Sequence, residues 1–156
     1  MQHPELPINA DYSIIHVIWR AKTVFLVYND DEGTPAFENG AYQAVEPESA
    51  DRLAGDDEIY EYNFNEVLSD PLDCGAVLAK WNLLSDVAHL YRMYFEGDSR
   101  KYSMIYDELL RHSAGVDVAE QGTVFSQKQL SLIQKVFKKQ HRQLNRLFGA
   151  LHFLKA

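Results

Sequence analysis

The spacing of apolar residues changes near residue 65, and this change constrains the fold more than any other feature of the chain. Before it, Tyr12 to Trp19 and Thr23 to Tyr28 are rich in β-branched and aromatic residues and are separated by a short polar break, which predicts a hairpin. Ile59 to Phe64 alternates as a half-exposed strand does, with Tyr60, Tyr62 and Phe64 on one face and Glu61 and Asn63 on the other. After residue 65 apolar residues recur at helical spacing, so the chain is predicted to be α+β.

Three helices are predicted in the second part of the chain. The first begins at Asp70-Pro71, which fits a cap followed by Pro at the first helical position, or at Asp73 as an alternative cap, and runs to about Phe95 with apolar residues around most of its circumference. A shorter helix is expected over about 100–112, and the last begins at Ser126, with Gln129 in capping-box spacing. We therefore expect a single α+β domain over residues 1–156. In it, an N-terminal antiparallel sheet of three to five strands packs against three C-terminal helices, the last one long.

The last predicted helix carries an apolar seam at alternating spacings of three and four, interrupted only by Gln140. The seam consists of Leu130, Ile133, Phe137, Gln140, Leu144, Leu147, Leu151 and Leu154. A basic ridge points away from it, formed by Lys128, Lys135, Lys139, Arg142 and Arg146. Three interpretations stay open for this ridge: a solvated face, a docking strip for acidic protein (the chain's own N-terminal half or a second copy), and a phosphate-binding strip.

The composition argues against several classes of protein. A single cysteine excludes an internal disulfide framework and a Cys-rich zinc site. The longest runs without a charged residue are much shorter than the ~20 residues of a membrane span, and the first residues lack the pattern of a signal peptide. We therefore expect a cytoplasmic protein that does not engage a membrane.

Common catalytic and metal-binding motifs are missing from the sequence. It contains no P-loop lysine motif, no His-Glu-x-x-His and no Gly-x-Ser-x-Gly. Asp30 to Gly33 superficially resembles a calcium loop, but that alignment places Tyr28 at the first ligand position, where a carboxylate is required. We expect no metal, no cofactor and no enzymatic activity.

Two weaker chemical signals remain. Asp86 and His89 are spaced to share one edge of the first helix, either as a surface ion network or as a carboxylate-oriented general base. Cys74 lies near the start of that helix, where the helix dipole favours a thiolate. The alternative for Cys74 is an inert small side chain in the core.

The charge is divided unevenly along the chain. Residues 1–70 hold 15 Asp and Glu against three Lys and Arg, a net charge of −12, whereas residues 71–156 hold eight against 12, a net charge of +4. The densest acidic stretch covers residues 46–58, interpreted as a loop, and continues into a strand with two tyrosines, which are typical of interfaces. The candidate partner-binding residues are Glu46, Glu48, Asp51, Asp56, Asp57, Glu58, Tyr60, Glu61 and Tyr62.

These features favour a small acidic protein-binding module that engages a basic protein partner through its N-terminal half. In size and charge the chain resembles small inhibitor and toxin-immunity proteins. This resemblance is an analogy and implies no shared fold. The alternative is a nucleic-acid-associated protein that acts through the basic face of the last helix. The overall charge of −8 counts against this alternative, since it repels a polyanion. A homodimer is a further possibility.

Overall fold

The structure, a computed structural model, describes residues 11–69, 72–113 and 125–154. The chain divides into two compact units. The sheet unit takes the chain up to Asn65 together with the stretch from Asn145 onward, and the helical unit comprises Glu66–Leu144. The α+β class is confirmed. The single domain expected over residues 1–156 stays a prediction.

The strands are β1 (Tyr12–Trp19), β2 (Lys22–Asn29), β3 (Thr34–Pro35), β4 (Phe37–Glu38), β5 (Ala41–Val45), β6 (Tyr60–Asn63) and β7 (Leu151–Leu154). The helices among the described residues are α1 (Pro47–Ala54), α2 (Cys74–Leu90), α3 (Ser103–Ser113), α4 (Gln127–Lys138) and α5 (His141–Gly149). Two short 3-10 turns, Glu96–Asp98 and Arg100–Tyr102, connect α2 to α3. None of the helices in these ranges is long and apolar enough to cross a membrane.

The sheet is mixed rather than antiparallel. Its seven strands follow the order β4-β5-β2-β1-β6, with β3 paired to β2 and β7 paired to β5, so five of them lie on the main path. The predicted hairpin of β1 and β2 is antiparallel, as expected. However, β6 runs parallel to β1 and β7 runs parallel to β5. The physical reason is that both strands return to the sheet after long connections, and such crossovers allow parallel pairing.

Residues 46–58, interpreted from the sequence as a loop, contain the helix α1. Pro47 occupies the first turn, where its missing N–H costs nothing. Ala50 and Ala54 are buried and belong to a core cluster with Ile14 and Val27 of the sheet. The helix therefore packs its narrow apolar side on one face of the sheet and leaves its acidic side exposed.

The helical unit is built around α2. The Asp73 side chain accepts a hydrogen bond from the Ala76 N–H at 3.1 Å and caps the helix, which confirms the second of the two predicted starts. The first, Asp70-Pro71, lies outside the described residues. The helix ends at Leu90 rather than near Phe95, because Arg92 adopts a left-handed conformation with φ 55°. Trp81 is buried, and the aromatic rings around it belong to Phe95, Tyr102, Tyr106 and Phe137.

The last predicted helix is interrupted. Its start is confirmed, since Ser126 and Gln129 form the expected capping box. Instead of running to the end of the chain, α4 ends at Lys138, α5 begins at His141, and the seam residues Leu151 and Leu154 belong to β7. The break falls at Gln140, the residue that interrupts the apolar seam. Seam residues on both sides of the break, including Ile133 and Leu144, are buried as predicted.

Candidate functional site

The sheet unit carries a cluster of exposed carboxylates, here called the acidic surface. It comprises Glu46, Glu48, Asp51, Asp56, Asp57, Glu58 and Glu61. Each of these residues is exposed. Arg52 is the one basic residue in the sequence from 46 to 61. The acidic surface is therefore a region of nearly uniform negative charge.

Local structure fixes these carboxylates in place. The acidic side of α1 faces away from the core because Ala50 and Ala54 are buried on its opposite side. Gly55 then ends the helix with φ 63°, a conformation that glycine adopts without strain. Ile59 packs against the same core cluster and leads directly into β6. The turn that contains Asp56, Asp57 and Glu58 is thus held at one end by α1 and at the other by β6.

As the alternation of the strand predicts, the two tyrosines of the predicted site do not share a face with Glu61. In the parallel register of β6 and β1, Glu61 lies opposite His16, whereas Tyr60 and Tyr62 lie opposite Ile15 and Val17. Because side chains alternate along a strand, Glu61 is on the face that α1 covers and the tyrosines are on the other. Tyr60 is 62% exposed at this edge strand, and Tyr62 is half-buried. The strand register therefore places the two tyrosines on the opposite face of the sheet from Glu61.

The acidic surface is not neutralised within the described part of the chain. The ion pairs there involve other carboxylates, those of Glu66, Glu96, Asp98 and Glu108. No lysine, arginine or histidine of the described ranges pairs with the seven acids. Their charge is consequently available to a partner.

The His89 imidazole pairs with Asp98, not with Asp86. Its Nε2 lies 3.1 Å from Asp98 Oδ2, and the Ser85 hydroxyl donates to Asp98 Oδ1 at 2.9 Å. Burial raises the pKa of Asp86, with the Asp98 charge adding to the shift and His89 opposing it. The Asp98 carboxylate thus lies between the Ser85 hydroxyl and the His89 imidazole. In this arrangement the imidazole does not contact the hydroxyl and does not activate Ser85 as a nucleophile.

Cys74 is fully buried at the start of α2. Burial raises the pKa of its thiol, and the neighbouring Asp73 charge raises it further. Both effects oppose the helix dipole and favour the neutral thiol. The structure therefore supports the interpretation of Cys74 as an inert core side chain.

Lys80 is a residue that the sequence interpretation missed. It is 3% exposed, and its Nζ lies 3.6 Å from Glu66 Oε2. It lines a small cavity of about 140 Å³ together with Asp73 and Val77. Burial lowers the pKa of the Lys80 ammonium, and Glu66 partly opposes the shift. Its position beside Trp81, on a helix that is apolar nearly all round, was the available signal.

A larger cleft in the helical unit was also not predicted. It has a volume of about 440 Å³ and is lined by Arg92, Met93, Tyr94, Glu96, Lys139, Gln140, Arg142 and Gln143. Lys139 and Arg142 belong to the predicted basic ridge, whose members are all exposed. The cleft itself depends on two local events, the left-handed turn after α2 and the break between α4 and α5, that apolar spacing does not reveal. We call it the cationic cleft.

Within the ranges that the structure covers, no three His, Cys, Asp or Glu side chains converge to hold a metal ion. In comparisons with known proteins, the chain matches no family model, no curated protein and no solved structure.

Proposed function

We propose that this chain is a protein-binding module whose acidic surface engages a basic protein partner. The observation that carries the proposal is the set of seven exposed carboxylates without an ion pair among the described residues. A fold gains nothing from like charges held side by side, because they repel one another. A cationic partner turns that repulsion into attraction.

The acidic surface is suited to fast and selective association. A patch of one sign steers an oppositely charged partner toward itself and discourages partners of the same sign. Because α1 is anchored through Ala50 and Ala54, Glu48 and Asp51 are held in fixed positions and lose little backbone freedom on binding. Tyr60, exposed at the edge strand, can add aromatic contact at the rim of such an interface.

The partner is proposed to be a cytoplasmic protein with a basic functional site. A surface of this charge competes with phosphate or nucleic acid for that site, which is the mode of action of an inhibitor or immunity-type protein. The size and charge of the chain support this finer proposal. A nucleic acid bound by the basic ridge is the competing outcome of the experiment below.

The test is an affinity capture with the full chain from native extract, run with and without nuclease treatment and eluted at low and then high salt. We expect a basic protein that is released as salt shortens the Debye length to about 8 Å and below. The double variant Asp51→Asn with Glu58→Gln should capture this protein at least several-fold less well, since two attractive charges are lost.

The matched control is Glu32→Gln with Asp107→Asn, which removes one Asp and one Glu at exposed positions outside the acidic surface. It should capture the partner as well as the parent does. The proposal is wrong if both double variants behave alike. It is also wrong if the captured molecule is a nucleic acid whose retention depends on Lys135 and Arg142.

A further inference from the structure

The cationic cleft lies where α2 ends and where α4 gives way to α5. Its lining residues come from the turn after α2 and from both sides of the α4–α5 break, all within the helical unit. A volume of about 440 Å³ falls in the range of pockets that hold small molecules. Because this cleft is in the helical unit, an inference about it does not rest on the proposed function of the acidic surface.

The charges of the cleft do not cancel. Lys139 Nζ lies 3.5 Å from Glu96 Oε2, and the Tyr102 hydroxyl donates to the same carboxylate at 3.3 Å. Glu96 is therefore balanced by Lys139. Arg92 and Arg142 are exposed and pair with no carboxylate of the described residues. Two guanidinium groups remain as the net charge of the cleft.

Two buried amides line the same cleft. Gln143 is 3% exposed, and its Nε2 donates to the Tyr94 carbonyl at 2.6 Å, while its Oε1 has no partner within the described ranges. Gln140 is 4% exposed as a residue, but its amide atoms are not fully buried without a partner. Burying Gln143 Oε1 without a partner is unfavourable for the fold. A hydroxyl group of a bound molecule would provide the missing partner.

The backbone favours an anion at the same place. The helix α5 begins at His141, and the N–H groups of Arg142 and Gln143 in its first turn have no acceptor inside the helix. Arg142 and Gln143, which line the cleft, belong to this first turn. The start of a helix attracts phosphate and carboxylate groups through these N–H groups and the helix dipole.

We infer that the cationic cleft binds a small phosphate monoester that carries hydroxyl groups. The phosphate lies between Arg92 and Arg142 at the start of α5, and the hydroxyl groups bond to Gln140 and Gln143. Two guanidinium groups match the two charges of a phosphate monoester, and each can donate two parallel hydrogen bonds. The space left in the cleft then holds the hydroxylated carbon skeleton.

The test is isothermal titration calorimetry on the full chain at constant ionic strength, with three probes. These are glucose 6-phosphate, inorganic phosphate and glucose. We expect saturable one-to-one binding of glucose 6-phosphate, weaker binding of inorganic phosphate, and none of glucose. Absence of saturable binding by both phosphate probes at millimolar concentration overturns the inference.

Substitutions locate the site. Arg92→Gly suits the local backbone, because φ 55° is a conformation that glycine adopts freely, so the fold is retained while the guanidinium is lost. This variant and Arg142→Gln should each bind glucose 6-phosphate about 10-fold more weakly or worse, as expected for a lost charge-assisted hydrogen bond. Lys135→Gln, an equal charge change on α4 outside the cleft, should bind like the parent.

A third variant tests the amides. Gln140→Leu should bind glucose 6-phosphate no better than inorganic phosphate, since the contact to a hydroxyl group is lost. If Arg92→Gly and Arg142→Gln bind as tightly as Lys135→Gln, the phosphate is bound elsewhere and the inference fails. If Gln140→Leu keeps the full preference for the ester, the role given to the amides is wrong.

Discussion

At the scale of single residues, Lys80 and Trp81 are adjacent in α2 and both buried, yet their burial has opposite energetic consequences. Trp81 packs edge-on against Phe95 and Tyr102, with ring centroids 6.1 Å away in each case. Gly97 makes room for this packing, because a Cβ there would lie 2.9 Å from the Trp81 ring. Trp81 therefore gains from burial, whereas Lys80 gives up hydration, and its charge is compensated in part by the exposed Glu66 and by the face of the Phe137 ring.

We predict that Lys80→Met leaves the free energy of unfolding at neutral pH within about 1 kcal/mol of the parent or raises it. The side chain keeps its length, and Glu66 is exposed enough to be hydrated alone. By contrast, truncating the neighbouring Trp81 to alanine should cost roughly 3–5 kcal/mol. Denaturant unfolding followed by circular dichroism measures these differences, with exposed Lys138→Met as the control for the chemical change.

The pH dependence of stability gives a second measure of Lys80. Its pKa is lowered in the folded state from the ordinary value of 10.5. At pH values between the lowered pKa and 10.5, the unfolded chain therefore binds more protons than the folded chain does. Stability contributed by this group therefore rises as pH increases through the window from the lowered pKa to 10.5. The parent should gain stability over Lys80→Met as pH is raised from neutral into this window. Equal pH profiles for the two proteins would contradict the prediction.

At the scale of elements, the break between α4 and α5 connects a local irregularity to a site. Gln140 is buried at a position where the seam calls for an apolar residue, and its amide has no hydrogen-bond partner in the described ranges. Gln134, one helical segment earlier, is different, because its Oε1 accepts a hydrogen bond from the Leu68 N–H at 3.1 Å. Two glutamines of the same helical region thus have opposite roles in the stability of the fold.

We predict that Gln140→Leu raises the free energy of unfolding by about 1 kcal/mol, because it places an apolar side chain in the buried seam, where Gln140 makes no side-chain hydrogen bond among the described residues. Gln134→Leu should lower it by a similar amount, since the Leu68 N–H loses its acceptor. Urea unfolding of both variants beside the parent measures the two changes. A loss of stability in Gln140→Leu as large as that in Gln134→Leu would show that the Gln140 amide is satisfied in the fold.

The elements also show which features of the fold sequence patterns can reveal. The β1–β2 hairpin and the start of α4 rest on local signals, alternation and a capping box, and both are correct. The helix α1 was not predicted, because its apolar side consists of little more than Ala50, Leu53 and Ala54 among acidic residues. In β7, Leu151 and Leu154 have helical spacing, and only pairing with the distant β5 makes the segment a strand. Pairing of that kind is invisible to local periodicity.

At the scale of the whole molecule, the uneven charge of the sequence becomes a surface property of the sheet unit. The membership of the acidic surface was predictable because exposed carboxylates need no specific packing. The separation of Tyr60 and Tyr62 from Glu61 was also predictable, from alternation along the strand, whereas the identity of the face that α1 covers depends on how β6 pairs with β1. The cationic cleft was not predictable, since it requires the left-handed Arg92 and the break at Gln140.

We predict that the melting temperature of the parent rises when sodium chloride is increased from about 0.01 M to 0.1 M. The Debye length then falls from about 30 Å to about 10 Å, which weakens repulsion among the acids. The variant Asp51→Asn with Glu58→Gln should start at a higher melting temperature and rise less. Differential scanning calorimetry measures both. A melting temperature independent of salt in the parent would mean that the acids are already neutralised.

The pairing of β7 with β5 has a consequence for the order in which the protein is made. A ribosome delivers the chain from its first residue onward, so Tyr42–Val45 emerges about 100 residues before the Leu151–Leu154 segment that pairs with it. At typical rates of synthesis this gap lasts roughly 5–20 s. The helical unit, one continuous stretch, emerges entirely within that interval. During translation, therefore, β5 presents hydrogen-bonding groups to any neighbouring strand, and the nascent chain is the stage at which this fold is most open to mispairing.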